Sequence, residues 1–290
     1  MLLRKTLFLT VVATLLIAAD CVSADERFEK FSDVTYVTRG DDEILADVYV
    51  PMGDGPFPSV LMVHGGAWRI GSKWSMRGHA RNLAKDGYTV VNINYRLAPK
   101  HKFPAQIDDC KEAVRWMRHS ADKYKIDVKR IAGYGYSAGA HLVCLLGTTD
   151  ASDGLEGEAV DAEKSDTRLQ AVVGGGTPCD FTWIPRGGKS LVYWLGATRA
   201  EDPDVYRQAS PISFVSKGDP PVFLFHGTDD KIVPFGSADR MVKRLKEMKV
   251  AVELLELSDK GHIPAFLDQT AKQRSLEFLN RVMKEEKTSE

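Results

Sequence analysis

The stretch Gly135-Tyr136-Ser137-Ala138-Gly139-Ala140-His141 follows a strand-like run, opens a helix-like run and contains the pattern Gly-x-Ser-x-Gly. A serine at so sharp a strand-to-helix turn holds its hydroxyl away from the backbone, beside a helix N-terminus that favours negative charge. Glycine is needed on either side because a side chain would collide with the neighbouring element. The pattern predicts that Ser137 is a catalytic nucleophile. The alternative is a tightly packed turn without chemistry.

Segments typical of strands and helices alternate along most of the remaining sequence. We predict strands at residues 34–38, 44–50, 59–63, 88–95, 129–136, 169–173, 221–226 and 250–257. We predict helices at residues 76–86, 105–124, 237–248 and 265–284, besides the one that follows Ser137. Continuously apolar strands are typical of a sheet that is buried on both faces. The alternation predicts an α/β fold with a mostly parallel sheet, helices on both faces and one domain over residues 25–290.

Two stretches interrupt this alternation. Residues 150–167 are polar and acidic, and we expect an exposed loop there. Residues 177–210 carry several Trp and Tyr residues among Pro and Gly, and loops of this length are often lids or binding loops. We interpret 177–210 as a small cap insertion over the site. The alternative is an aromatic patch packed on the edge of the sheet.

The first 24 residues differ from the rest. A basic start, an apolar run and the small residues before position 25 predict a secretory signal peptide at residues 1–24. The protein would then be exported, to a periplasm or out of the cell, with no membrane contact after cleavage. A retained N-terminal anchor is the alternative. The formal net charge of −1 gives no reason to expect nucleic acid as a partner.

Three cysteines remain after removal of this segment, and an odd number cannot all pair internally. Cys110 and Cys144 lie on apolar faces of predicted helices, so we expect buried free thiols. Cys179 lies in a loop, where we expect a more reactive thiol. No pair has the spacing of metal ligands, so no metal site is predicted.

A nucleophilic serine needs a base, and the base needs an acid that orients it. His262 follows the last predicted strand, which is where a base belongs when the order along the chain is Ser, acid, His. The acid should follow the strand at 221–226, where Asp229 and Asp230 stand side by side. Spacing alone does not choose between them.

Donors for an oxyanion are expected from two places. One is the backbone amide of Ala138, directly after the nucleophile. The other is the loop His64-Gly65-Gly66-Ala67-Trp68 after the buried strand at 59–63, whose small residues allow amides to approach closely. Gly66 and Ala67 are the expected donors. We expect substrate contacts from Trp68, Tyr136 and Trp183, since aromatic rings suit stacking on sugar or phenolic rings.

These motifs together resemble those of the α/β-hydrolase esterase/lipase group with an H-G-G-x-W oxyanion loop. Tyr95-Arg96-Leu97-Ala98-Pro99, followed by Phe103-Pro104-Ala105, is similar to a segment specific to that group. The resemblance implies an α/β-hydrolase fold, Asp230 as the triad acid, His262 as the base and no cofactor. The sequence departs from the group's pattern at Ala67, which stands where many members have a third glycine.

The resemblance implies a serine carboxylesterase, and the predicted signal peptide implies that it is secreted. Its substrates would be short-chain acyl esters, small or on polysaccharide, with acetyl or feruloyl groups as candidates. The alternatives are an amidase similar to aryl formamidases and a non-catalytic binding module on the same fold. The chain would be a monomer or a homodimer.

Overall fold

The computed structural model describes residues 27–157, 166–183 and 191–284. The predicted signal peptide at 1–24 lies outside these ranges. One sheet runs through the molecule in the order β1-β2-β4-β3-β5-β6-β7-β8. Its strands are β1 (Phe28–Arg39), β2 (Asp42–Pro51), β3 (Phe57–Val63), β4 (Thr89–Ile93), β5 (Ile126–Tyr136), β6 (Ala171–Gly175), β7 (Val222–Gly227) and β8 (Val252–Leu257). β1 and β2 pair antiparallel, β2 pairs antiparallel with β4, and the remaining pairs are parallel. The predicted α/β fold with a mostly parallel sheet is confirmed.

The helices are α1 (Arg77–Lys85), α2 (Ala105–His119), α3 (Ala121–Tyr124), α4 (Ala138–Thr148), α5 (Val192–Leu195), α6 (Pro203–Gln208), α7 (Gly236–Glu247), α8 (His262–Leu267) and α9 (Gln269–Met283). The helix predicted at 265–284 is in fact two. Asp268 has an extended backbone (φ −62°, ψ 129°), and its side chain accepts the Ala271 N–H at 2.8 Å. This cap starts α9 afresh. None of the helices within the described ranges is long and apolar enough to cross a membrane.

Strand β3 shows how the sheet is covered on both faces. Leu61 and Val63 belong to one cluster of buried side chains, which also contains residues of α2 and α4. Val60 and Met62 belong to a second cluster, which contains residues of α1 and α9. Successive side chains of a strand point to opposite faces. A continuously apolar strand is therefore what a sheet between two helical layers requires.

The described parts of the 177–210 segment pack into the first of these clusters. Phe181, Trp194 and Tyr206 are almost completely buried there. Their placement favours the interpretation of an aromatic patch that packs against the sheet. The cap interpretation also concerns residues 184–190, which lie outside the described residues, so it stays a prediction.

All three cysteines of the described residues are free and buried. The prediction for Cys110 and Cys144 is confirmed. The prediction of a reactive Cys179 is wrong, because its side chain is fully buried and burial raises the pKa of its thiol well above the usual value. Position in a loop does not imply exposure, because Cys179 packs in the same buried cluster as Phe181 and Trp194.

Candidate active site

Ser137 lies between the last residue of β5 and the first of α4, with φ 55° and ψ −120°. Left-handed conformations of this kind are held in place by their surroundings and concentrate at functional sites. A Cβ built on Gly135 would lie 2.3 Å from the Gly139 carbonyl group, and one on Gly139 would lie 2.1 Å from the Val63 carbonyl oxygen. Both glycines are therefore required by close approach of backbone.

His262 and Asp230 meet across the ends of β7 and α8. Nδ1 of His262 is 2.6 Å from Oδ2 of Asp230. The other carboxylate oxygen accepts the backbone N–H groups of Ile232 and Val233 at 2.9 Å each. A carboxylate can only accept here, so Nδ1 of His262 carries the proton. This leaves the lone pair of Nε2 available to a base-catalysed reaction.

The charge on Asp230 is stabilised by its hydrogen bonds. Burial by itself raises the pKa of this carboxyl group. The hydrogen bonds from His226 and His262 and the N–H of Val233 outweigh burial, so the pKa of Asp230 lies well below the usual value. Asp230 is therefore ionised at neutral pH and can stabilise an imidazolium at His262. Asp229, by contrast, is exposed and pairs with Lys231.

Ser137 and His262 line one cavity of about 430 Å³. Its walls are mostly apolar, and they are formed by Gly65, Gly66, Ala67, Ile70, Gly71, Ser75, Met76, Tyr136, Ile232, Ile263 and Phe266. Among the described residues, no hydrogen bond links the Ser137 hydroxyl to the His262 ring. Such bonds are often long in a free enzyme and tighten when substrate binds. The cavity brings Ser137, His262, Gly66 and Ala67 together.

The oxyanion loop, which we define as residues 64–71, has an unusual backbone. Gly66, Ala67 and Trp68 have φ values of 117°, 52° and 58° in succession. A Cβ on Gly66 would lie 2.0 Å from the carbonyl oxygen of Ile70, so only glycine fits there. Ala138, the other predicted donor, begins α4, where backbone N–H groups lack partners within the helix.

The sequence profile of one family covers most of the sheet and the helices around it. The BD-FAE profile matches residues 46–245. The chain belongs to the BD-FAE family. Membership confirms the resemblance to the α/β-hydrolase esterase/lipase group that the motifs indicated.

Similar proteins of the same group are esterases. Esterase LipC of Mycobacterium tuberculosis is 36% identical over 81% of this chain, and the chain spans 61% of the length of LipC. A truncated carbohydrate esterase from gut microbiota has a TM-score of 0.82 at 24% identity, over 90% of this chain and 99% of that one. Butyrate-bound Est2, an esterase of Thermogutta terrifontis, has a TM-score of 0.74 at 22% identity, over 86% of this chain and 93% of its own. The two structures share the fold of this BD-FAE protein.

The three residues predicted to contact substrate lie in different surroundings in this BD-FAE protein. Tyr136 lines the cavity, and its hydroxyl donates to the carbonyl of His262. The structure contradicts the prediction for Trp68, whose indole is 4% exposed and stacks in the core on Trp194. Trp183 packs beside Gly236 and below the guanidinium of Arg240, and it is not among the described residues that line the cavity.

Sequence reasoning also missed part of the site. The Nε2–H of His226 donates to the carbonyl of Val233 at 2.9 Å and lies 3.4 Å from Asp230. Its position directly after the apolar core of β7 was the available signal. The rim of the cavity was missed as well, because Ile70, Ile232 and Ile263 lie in loops or at a helix start, where no periodicity marks them.

Proposed function

We propose that this BD-FAE protein is a serine carboxylesterase. The observation that carries the proposal is the grouping around one cavity of Ser137, a His262 whose tautomer Asp230 fixes, and a loop with a left-handed backbone beside the serine. Esterases among similar proteins support the same activity. This combination suits acyl transfer through a covalent intermediate.

In the proposed reaction, Oγ of Ser137 attacks the ester carbonyl carbon while Nε2 of His262 takes its proton. The backbone N–H groups of Gly66, Ala67 and Ala138 stabilise the negative oxygen of the tetrahedral intermediate. The intermediate collapses, the alcohol leaves with the proton from His262, and an acyl-enzyme remains. Water then attacks the acyl group and gives a proton to Nε2 of His262. When the second tetrahedral intermediate collapses, the bond to Oγ of Ser137 breaks, His262 returns the proton to Oγ, and the carboxylic acid is released.

We propose short acyl esters as substrates, with acetyl or feruloyl groups on polysaccharide as the favoured candidates. The apolar wall of Ile70, Ile232 and Phe266 suits an acyl group rather than a charged one. The structurally similar carbohydrate esterase and the predicted signal peptide support a large substrate outside the cell. We propose accordingly that the protein is exported.

The test is a substrate panel with the mature protein, residues 25–290. The panel contains p-nitrophenyl acetate, butyrate and octanoate, acetylated xylan, methyl ferulate and N-formylkynurenine. We expect turnover of short esters, with a loss on the order of 10⁶ in kcat for Ser137→Ala. Ser152→Ala is the matched control. Ser152 is exposed and its hydroxyl bonds only to Asp150 among the described residues, so this variant should keep full activity. Activity on the formyl amide alone would contradict the proposal and favour the amidase.

A further inference from the structure

The oxyanion loop contains two non-glycine residues in the left-handed region. Ala67 and Trp68 have φ values of 52° and 58°. L-residues avoid this region, and such conformations persist only where the surrounding structure holds them. The contacts of these two residues should therefore reveal what keeps the loop in its shape.

Trp68 is held from several sides. Its indole stacks on Trp194, its Nε1–H donates to Nδ1 of His141 at 3.1 Å, and its carbonyl accepts the N–H of Ala98 at 2.8 Å. Ala67 lines the cavity and has only a methyl group, so its side chain offers no comparable anchor.

The carbonyl of Ala67 accepts one hydrogen bond from the described residues. Its donor is the hydroxyl of Tyr193, at an O···O distance of 2.6 Å. Burial raises the pKa of Tyr193 and outweighs the opposing charge of Arg69, so the hydroxyl stays protonated and able to donate. The guanidinium of Arg69 lies 5.1 Å from the centre of the same ring.

Tyr193 is itself fixed by the residue that follows it. Trp194 is fully buried, its Nε1–H donates to Gln106 at 2.9 Å, and its carbonyl accepts the N–H of Phe103 at 3.0 Å. One turn of helix thus carries both a core anchor and a hydroxyl that contacts the oxyanion loop. From this turn, Trp194 stacks on Trp68 and the hydroxyl of Tyr193 donates to Ala67.

We propose that Tyr193 is a positioning residue for the oxyanion hole. By holding the carbonyl of Ala67, it fixes the left-handed backbone at that residue and with it the direction of the Ala67 N–H. The role rests on the proposed esterase function, in which that N–H stabilises the oxyanion. Preorganised donors of this kind favour the transition state over the bound substrate.

Tyr193→Phe tests this role because it removes the hydroxyl and keeps the ring. On p-nitrophenyl acetate we expect kcat to fall about tenfold with KM within about twofold, less than the 10²–10³ typical of losing a donor outright. Affinity for an aliphatic trifluoromethyl ketone, which forms an oxyanion on Ser137, should fall by a similar factor. Amide hydrogen exchange of peptides that cover residues 64–71 should become faster.

Tyr206→Phe is the matched control. It removes a tyrosine hydroxyl that donates to the carbonyl of Ala197 at 3.0 Å within the same segment. We expect it to keep wild-type kcat, ketone affinity and exchange in residues 64–71. An equal loss in both variants would overturn the proposal, since it would indicate general loosening of the segment.

Two other results for Tyr193→Phe would overturn the positioning role. One is an unchanged kcat with unchanged exchange, and the other is a loss confined to KM, which would make Tyr193 a substrate contact. If the wild-type protein hydrolyses no ester, the proposed function fails. Exchange of residues 64–71 then decides alone whether Tyr193 holds the loop, with faster exchange in Tyr193→Phe supporting it and unchanged exchange overturning it.

Discussion

The indole of Trp68 stacks on that of Trp194 with ring centres 3.7 Å apart and planes within 2° of parallel. Trp68 belongs to the oxyanion loop, and Trp194 belongs to the segment inserted after β6. Phe181 and His141 meet both indoles edge-on. The aromatic group therefore joins the oxyanion loop, the inserted segment and α4, which begins directly after Ser137.

Truncation of Trp194 should be costly for the whole fold. We expect Trp194→Ala to lower the free energy of unfolding by about 3–5 kcal/mol, as is usual for a large aromatic residue removed from a core. Urea denaturation followed by circular dichroism measures this change. Trp74→Ala is the control, because Trp74 is 67% exposed and should cost less than about 1 kcal/mol. Equal costs for the two variants would contradict the packing role.

The two adjacent aspartates should differ sharply in their effect on turnover. In Asp230→Asn the single amide oxygen stays with the N–H groups of Ile232 and Val233, so an NH2 donor faces Nδ1 of His262 and favours the wrong tautomer. We expect kcat to fall by about 10⁴. Asp229→Asn alters an exposed side chain and should leave kcat within about twofold. Steady-state kinetics on p-nitrophenyl acetate compares them, with circular dichroism to check folding. A large loss of kcat in Asp229→Asn, with kcat kept in Asp230→Asn, would show that Asp229 is the residue that orients His262.

Two glycine-to-alanine substitutions should change the free energy of unfolding in opposite directions. The Cβ of Gly139→Ala would meet the Val63 carbonyl at 2.1 Å, so we expect a loss of about 3 kcal/mol in the free energy of unfolding. Gly78→Ala, in α1, meets nothing within 4 Å and should stabilise by about 0.5 kcal/mol. Thermal unfolding gives both values. A Gly139→Ala variant as stable as wild type would show that α4 can move away from the end of β3 without a loss of stability.

Acid should destabilise the protein through buried neutral histidines. Burial lowers the pKa of His141 from 6.5 to about 3 and that of His64 from 6.5 to about 4, with weaker opposing effects of the carbonyls of Ala209 and Gly65. Between pH 6.5, the pKa of an exposed histidine, and these lower folded-state values, the unfolded chain binds more protons than the folded one. The free energy of unfolding therefore falls as pH falls from 6.5 towards 3.

Urea titrations at pH 7 and pH 4.5 measure this dependence. We expect the free energy of unfolding of His141→Gln to depend less steeply on pH, because position 141 no longer gains a proton on unfolding. The exposed His119, changed to Gln, should leave it nearly unchanged. An equally steep dependence in His141→Gln would mean that the buried imidazole does not contribute.

The amino-acid sequence determined those features that depend on neighbours along the chain. The apolar runs predicted the buried strands, and the two glycines around Ser137 predicted a turn that admits no side chain. Chain order placed His262 and the pair Asp229 and Asp230 at the ends of strands on one edge of the sheet. Such local patterns predict helices and strands and their order along the chain, because each pattern is formed by a few consecutive residues.

Tertiary structure alone decided which side chains are buried and which meet. From the residues themselves, Asp229 and Asp230 were equivalent, and folding turned one towards His262 and the other to solvent. Tyr193 meets Ala67 across 126 residues of sequence. Trp68 and Cys179 were misjudged for a similar reason. Their surroundings are built by segments distant along the chain, and burial is a property of those contacts rather than of the local pattern.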